Sequence, residues 1–150
     1  MKPLIVLICI FTISCFGIRI FYDHYDIAFA GRIAMSTMLV FTAIGHFVYT
    51  KGMSLMLPVY IPFRTAIIYI TGILEVVLAI GLFIPDVRIL SGWVLIVFLI
   101  IILPANIYAA VQGLDYQTAK FDGNGLNYLY LRIPMQILFI SWTYFCTIKG

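Results

Sequence analysis

With 64% apolar and only 10% charged side chains in 150 residues, this chain has too little polar surface to cover a water-facing globule. Soluble domains run at about 45–50% apolar and about 25% charged. The net charge of +3 comes from cations scattered singly, which argues against a nucleic-acid partner and against a basic patch for anionic lipid.

Five apolar stretches follow one another along a single domain, residues 1–150: Leu4–Phe21, Arg32–Tyr49, Thr65–Ile84, Ile89–Val111 and Tyr128–Thr147. Each approaches the ~20 residues a helix needs to cross ~30 Å of hydrocarbon. None alternates strictly, as a lipid-facing barrel strand would. Helix is expected despite the many Ile, Val, Phe and Tyr residues, because a backbone in lipid must satisfy its own hydrogen bonds. The predicted fold is therefore all-α, an integral membrane bundle in the lipid bilayer.

The first stretch, behind Lys2, is longer than a signal-peptide core and lacks an A-x-A cleavage site, so it reads as a retained membrane helix. Lys51-Gly52 and the Pro58/Pro62 pair break the chain after the second stretch. Pro85-Asp86 makes a tight turn after the third, and Gln112-Gly113 ends the fourth. Phe121-Asp-Gly-Asn-Gly125 marks the longest polar loop. Trp93, Trp142, Tyr128, Tyr130 and Tyr144 lie near segment ends, where amphipathic rings favour the headgroup region. Five crossings put Lys2, Lys51, Arg64, Lys120 and Arg132 toward one face, side A, and Arg19, Arg32, Arg88 and Lys149 toward side B. This small excess leans toward a cytoplasmic N-terminus. Cys9, Cys15 and Cys146 match neither a C-x-x-C pair nor a zinc spacing, so no metal site is expected.

Glu75, in the middle of the third stretch, is the most informative residue. An ionisable group at that depth is costly and normally turns into the bundle or a wet cavity. Allowing for the alternating direction of successive helices, His46, Asn106, Arg132 and Gln136 fall near the same leaflet, with Arg132 and Gln136 one turn apart on one face. The expectation is a polar pocket opening from side A, with Glu75 at its floor. His46 would exchange protons, Arg132 would neutralise Glu75 or hold an anionic or carbonyl group, and Gln136 would extend the polar group inward. Each also has a plain reading, as an interface residue, a cap or interhelical glue. Pro104 removes one amide donor inside the fourth helix, and the carbonyls it frees need partners from Asn106 or a facing side chain.

The ordered set Gly31-Arg32, Gly45-His46-Phe47, Pro58-x-x-x-Pro62, Thr71-Gly-x-x-Glu75, Gly92-Trp93, Pro104-Ala-Asn-Ile-Tyr108 and Arg132-x-Pro134-x-Gln136 resembles the DoxX-like membrane proteins over roughly residues 30–147. The resemblance implies a four-helix core, here the second to fifth stretches, with Leu4–Phe21 as an extra N-terminal helix. It also implies an accessory role in a membrane redox system, through association with quinol oxidase or thiosulfate:quinone oxidoreductase. No haem-ligand pair, flavin motif or nucleotide loop is visible. A redox role would then run through a quinone or a partner subunit, in a bacterial cytoplasmic membrane. The rival expectations are a small membrane enzyme using Glu75 and His46 for acid–base chemistry, a scaffold or assembly factor without a ligand, and a transporter, which at this length would require a homo-oligomer.

Overall fold

The computed structural model describes residues 2–22 and 26–150. Among them the chain is helical, with no strand and one isolated bridge, Asp115 to Lys120. The helices are α1 (Lys2–Tyr22), α2 (Ile27–Val48), the short α3 (Thr50–Ser54), α4 (Arg64–Gly81), α5 (Pro85–Val111) and α6 (Asn127–Thr143), which runs on into a π-helical turn at Tyr144–Ile148. Five of these segments are long and apolar enough to cross a membrane. At 1.5 Å per residue the shortest spans about 27 Å, and α5 about 40 Å. Large side chains stay exposed along them, among them Ile13, Ile70, Ile101 and Ile137, as lipid-facing surfaces require.

Helix α2 begins five residues earlier than its apolar run suggests, because Asp26 caps it: a side-chain oxygen accepts the Phe29 amide at 2.8 Å. That places Arg32 inside the helix. Arg32 is 9% exposed, and its guanidinium donates to the Cys146 carbonyl at 3.0 Å in the π-turn, at the side-B end as expected. Capping final carbonyls with a cation suits both their free lone pairs and the helix dipole.

Helix α2 is the hub. It packs on α1, on α4 and on the π-turn that ends α6, while α5 packs on α4, on α6 and on the same turn. The apolar core draws Leu7 from α1, Met35 and Leu39 from α2, Leu78 from α4, Leu95 from α5 and Phe139 from α6. Helix α1 joins it through Phe11, whose ring meets Trp142 edge-on at 4.8 Å. Glycines allow the closest crossings, the usual device where small residues let membrane helices approach. A Cβ on Gly72 would lie 2.9 Å from the Cβ of His46, and one on Gly81 would overlap Ser91.

The 112–126 connection between α5 and α6 folds back across side A. Leu114 is buried, Asp115 pairs with Lys120, and Tyr116 meets Tyr49 edge-on at 6.1 Å. The Tyr116 carbonyl rests so closely on Gly52 that no side chain fits there. Helix α3 and this loop therefore roof the side-A end of the bundle.

Candidate functional site

Glu75 lies eleven residues into α4, about 16 Å along the helix axis from its side-A end, and is 5% exposed. Gly72, one turn nearer that end, carries no side chain, so α2 comes close enough to bring His46 against the acid. His46 Nε2 stands 3.6 Å from Glu75 Oε1. The other ring nitrogen, Nδ1, is 3.1 Å from the Ile68 carbonyl and 3.0 Å from Thr71 Oγ1. The Thr71 hydroxyl donates its hydrogen to that same carbonyl, at 2.9 Å. Both atoms facing Nδ1 are therefore acceptors, and Nδ1 carries a hydrogen. Nε2, toward Glu75, is left as the nitrogen whose protonation can change. Glu75 Oε2 is shut from solvent and has no hydrogen-bond partner.

The dyad lines a cavity of about 500 Å³, within the ~300–1,000 Å³ range of small-molecule sites. Phe41, Met56, Ile67, Phe98 and Ile102 give it mostly apolar walls, with Tyr116 and Gln117 of the roofing loop at one end. Asn106 also lines it, 3% exposed, with its amide donating to the Ile102 carbonyl at 2.8 Å and its oxygen accepting from the Tyr128 hydroxyl at 3.4 Å. Arg132 lines it too, and its Nε is buried without a partner.

Of the five residues the sequence singled out, His46, Glu75, Asn106 and Arg132 meet at this cavity and Gln136 does not. Gln136 is buried between α6 and α5, and its amide donates to the Leu99 carbonyl. That carbonyl adjoins Ile100, whose own helical partner would have been the amide that Pro104 lacks. Gln136 is thus interhelical glue beside the proline and does not extend the polar group toward Glu75. Nor does Arg132 neutralise Glu75 directly: the acid's ion-pair partner among the described residues is His46.

Sequence reasoning passed over three contributors. Thr71 sits one turn before Glu75, a spacing that could have revealed it. The Ile68 carbonyl left no signal, and Lys2, which reaches the cavity from the start of α1, was legible only as a side-A cation, because only packing brings them to the site. Among the described residues no three His, Cys, Asp or Glu side chains group as metal ligands, and Cys9, Cys15 and Cys146 are free.

A family model described as "Domain of unknown function (DUF8561)" matches residues 35–147. The match includes the whole dyad and Arg132 but leaves out α1. No curated protein and no solved structure matches the chain.

Proposed function

The chain belongs to the DUF8561 family, and we propose that it is a membrane protein which binds a small amphipathic molecule, a quinone being the candidate, in the cavity floored by Glu75 and His46. It would serve as an accessory subunit of a redox system in a bacterial cytoplasmic membrane. One observation carries the reading: a carboxyl group buried at mid-membrane depth leaves one oxygen without a partner, beside a cavity of about 500 Å³. Leaving such an atom unsatisfied costs about 1–3 kcal/mol, a cost that a ligand bonding to it would offset. The apolar walls suit a ring with a hydrocarbon tail, and the polar groups at Glu75, Asn106 and Arg132 suit ring oxygens. The redox assignment and the location rest on the resemblance to DoxX-like proteins noted above.

A second reading, a small membrane enzyme working on a lipid-soluble substrate, is favoured by the dyad itself, since a carboxyl group and an imidazole whose other nitrogen is anchored form an acid–base pair. Extraction of the purified protein with organic solvent, alongside native mass spectrometry, tests the proposal. A quinone should co-purify in near-stoichiometric amount and be lost on Glu75→Leu. Protein that comes free of any quinone, and does not take up an added short-chain benzoquinone, would defeat it.

A further inference from the structure

At the side-B end of the bundle the fold brings together cations that stand singly along the sequence. Arg32 of α2 is 9% exposed, and Arg88, in the first turn of α5, lies near enough for the two charges to repel. A guanidinium has five N–H donors. Among the described residues Arg32 commits one, to the Cys146 carbonyl, and Arg88 commits none, its Nε being buried without a partner. A cation in a first turn also opposes the helix dipole, which favours negative charge there. Asp26 attracts Arg32, but its carboxyl group caps the Phe29 amide. Neither Asp26 nor Asp86 of α5 makes an ion pair among the described residues. The arginine pair is left without an anion, and Lys149, at the end of the π-turn, adds a third cation on this side.

A groove leads away from the pair. The Arg32 guanidinium carbon stands 5.7 Å from the centre of the Phe29 ring, and that ring meets Phe83 edge-on at 6.2 Å. Phe83 lines a groove of about 420 Å³, with Ser36, Thr37 and Val40 of α2 on one wall and Ile80, Phe83 and Ile84 on the other. Ile84 is the N-cap of α5, one turn before Arg88, so both arginines adjoin the groove's side-B end. Its hydroxyl groups are spent internally, Ser36 on the Ala79 carbonyl at 2.9 Å and Thr37 on the Ile33 carbonyl at 2.8 Å. What remains is an apolar surface. Val40 lies thirteen residues into α2, about 20 Å from its side-B end, so the groove reaches the middle of a ~30 Å hydrocarbon core.

We infer that the Arg32–Arg88 pair and this groove form a site for an anionic glycerophospholipid of the side-B leaflet, its phosphate diester across the two guanidinium groups and one acyl chain along the α2–α4 groove. Guanidinium forks match phosphate oxygens in geometry and charge. A headgroup with its own ammonium would set a further cation beside the two arginines, so phosphatidylglycerol is preferred to phosphatidylcholine. The groove shares no lining residue with the Glu75 cavity, and the lipid site stands independently of the quinone reading.

Native mass spectrometry of the full chain, released from nanodiscs of equal parts dioleoylphosphatidylglycerol and dioleoylphosphatidylcholine, tests the site. The wild-type chain should retain phosphatidylglycerol about tenfold or more over phosphatidylcholine. Arg88→Gln should erase most of that preference with helical content unchanged, and Arg88→Lys, which keeps the charge, should restore part of it. Lys51→Gln removes an equal charge at side A and should leave the preference intact. Thr37→Trp, which fills the groove and spares the arginines, should lower retention. Inorganic phosphate in excess should not displace the lipid, because it brings no acyl chain. Equal retention of both lipids by the wild-type chain, or a loss on Lys51→Gln as large as on Arg88→Gln, would overturn the site. Displacement by inorganic phosphate, or full retention by Thr37→Trp, would overturn the lipid assignment and leave a free-anion site.

Discussion

Replacing Glu75 by Gln keeps the side chain's shape and its capacity to hydrogen-bond but removes its charge. The cost in stability therefore depends on what the carboxyl group touches. An isolated interhelical bond in a membrane bundle averages about 0.6 kcal/mol, whereas residues in direct contact couple by about 0.5–3 kcal/mol. Since His46 lies 3.6 Å from Oε1 and no described ion pair joins Glu75 to Arg132, a double-mutant cycle between Glu75→Gln and His46→Gln should show clear coupling in the ligand-free protein. The cycle between Glu75→Gln and Arg132→Met should be closer to additive, and its coupling should grow when quinone is present, because the ligand then bridges the two groups. Thermal unfolding in detergent, with and without a short-chain quinone, measures both cycles. Stronger coupling to Arg132 than to His46 in the empty protein would mean that the acid's partner is wrongly assigned.

At the scale of elements, the α2–α4 crossing decides whether the dyad exists. Gly72→Ala would place a methyl group 2.9 Å from the His46 Cβ. Backbone and the half-buried His46 side chain must then move apart, at about 1–3 kcal/mol for overpacking. The chain should remain helical by circular dichroism yet lose quinone retention, and an alanine variant that binds normally would show that the close approach is dispensable. The start of α2 is set by Asp26, whose side chain holds the Phe29 amide. Asp26→Ala should lower stability by about 1 kcal/mol, and Asp26→Asn, which still accepts that hydrogen bond, should restore most of it. Equal losses in both variants would point to charge and not capping as the residue's contribution.

For the molecule as a whole, five membrane-length helices, each crossing once, should put Lys2 and Lys149 on opposite sides of the bilayer. Reporter fusions at the two positions should give opposite readings, and like readings from an intact chain would remove one crossing. The side-A face is also the roofed face, where α3, the 112–126 loop and Lys2 enclose the cavity. Helix α1 lies outside the family match yet contributes Leu7 to the core and Lys2 to the cavity. The extra helix expected from the sequence is therefore packed into the bundle and takes part in the site.

The sequence by itself determined the apolar character of this chain and the number of its membrane-length helices, because apolar length and composition answer those questions without reference to any neighbour. It also marked Glu75, since an acid at mid-span is anomalous whatever surrounds it, and it placed His46, Asn106 and Arg132 at one level by counting along antiparallel helices. Depth is a one-dimensional quantity and survives such counting. Azimuth does not. Which way each helix turns depends on where α2 and α4 can approach at Gly72, and only packing decided that His46 and not Arg132 meets the acid. Gln136 was legible as polar and buried, but its partner, the Leu99 carbonyl, belongs to another helix that carries its own proline, Pro104. The anchoring of His46 by the Ile68 carbonyl was out of reach for a related reason: a backbone acceptor has no residue type to betray it, and only the tertiary contact shows which imidazole nitrogen is left free.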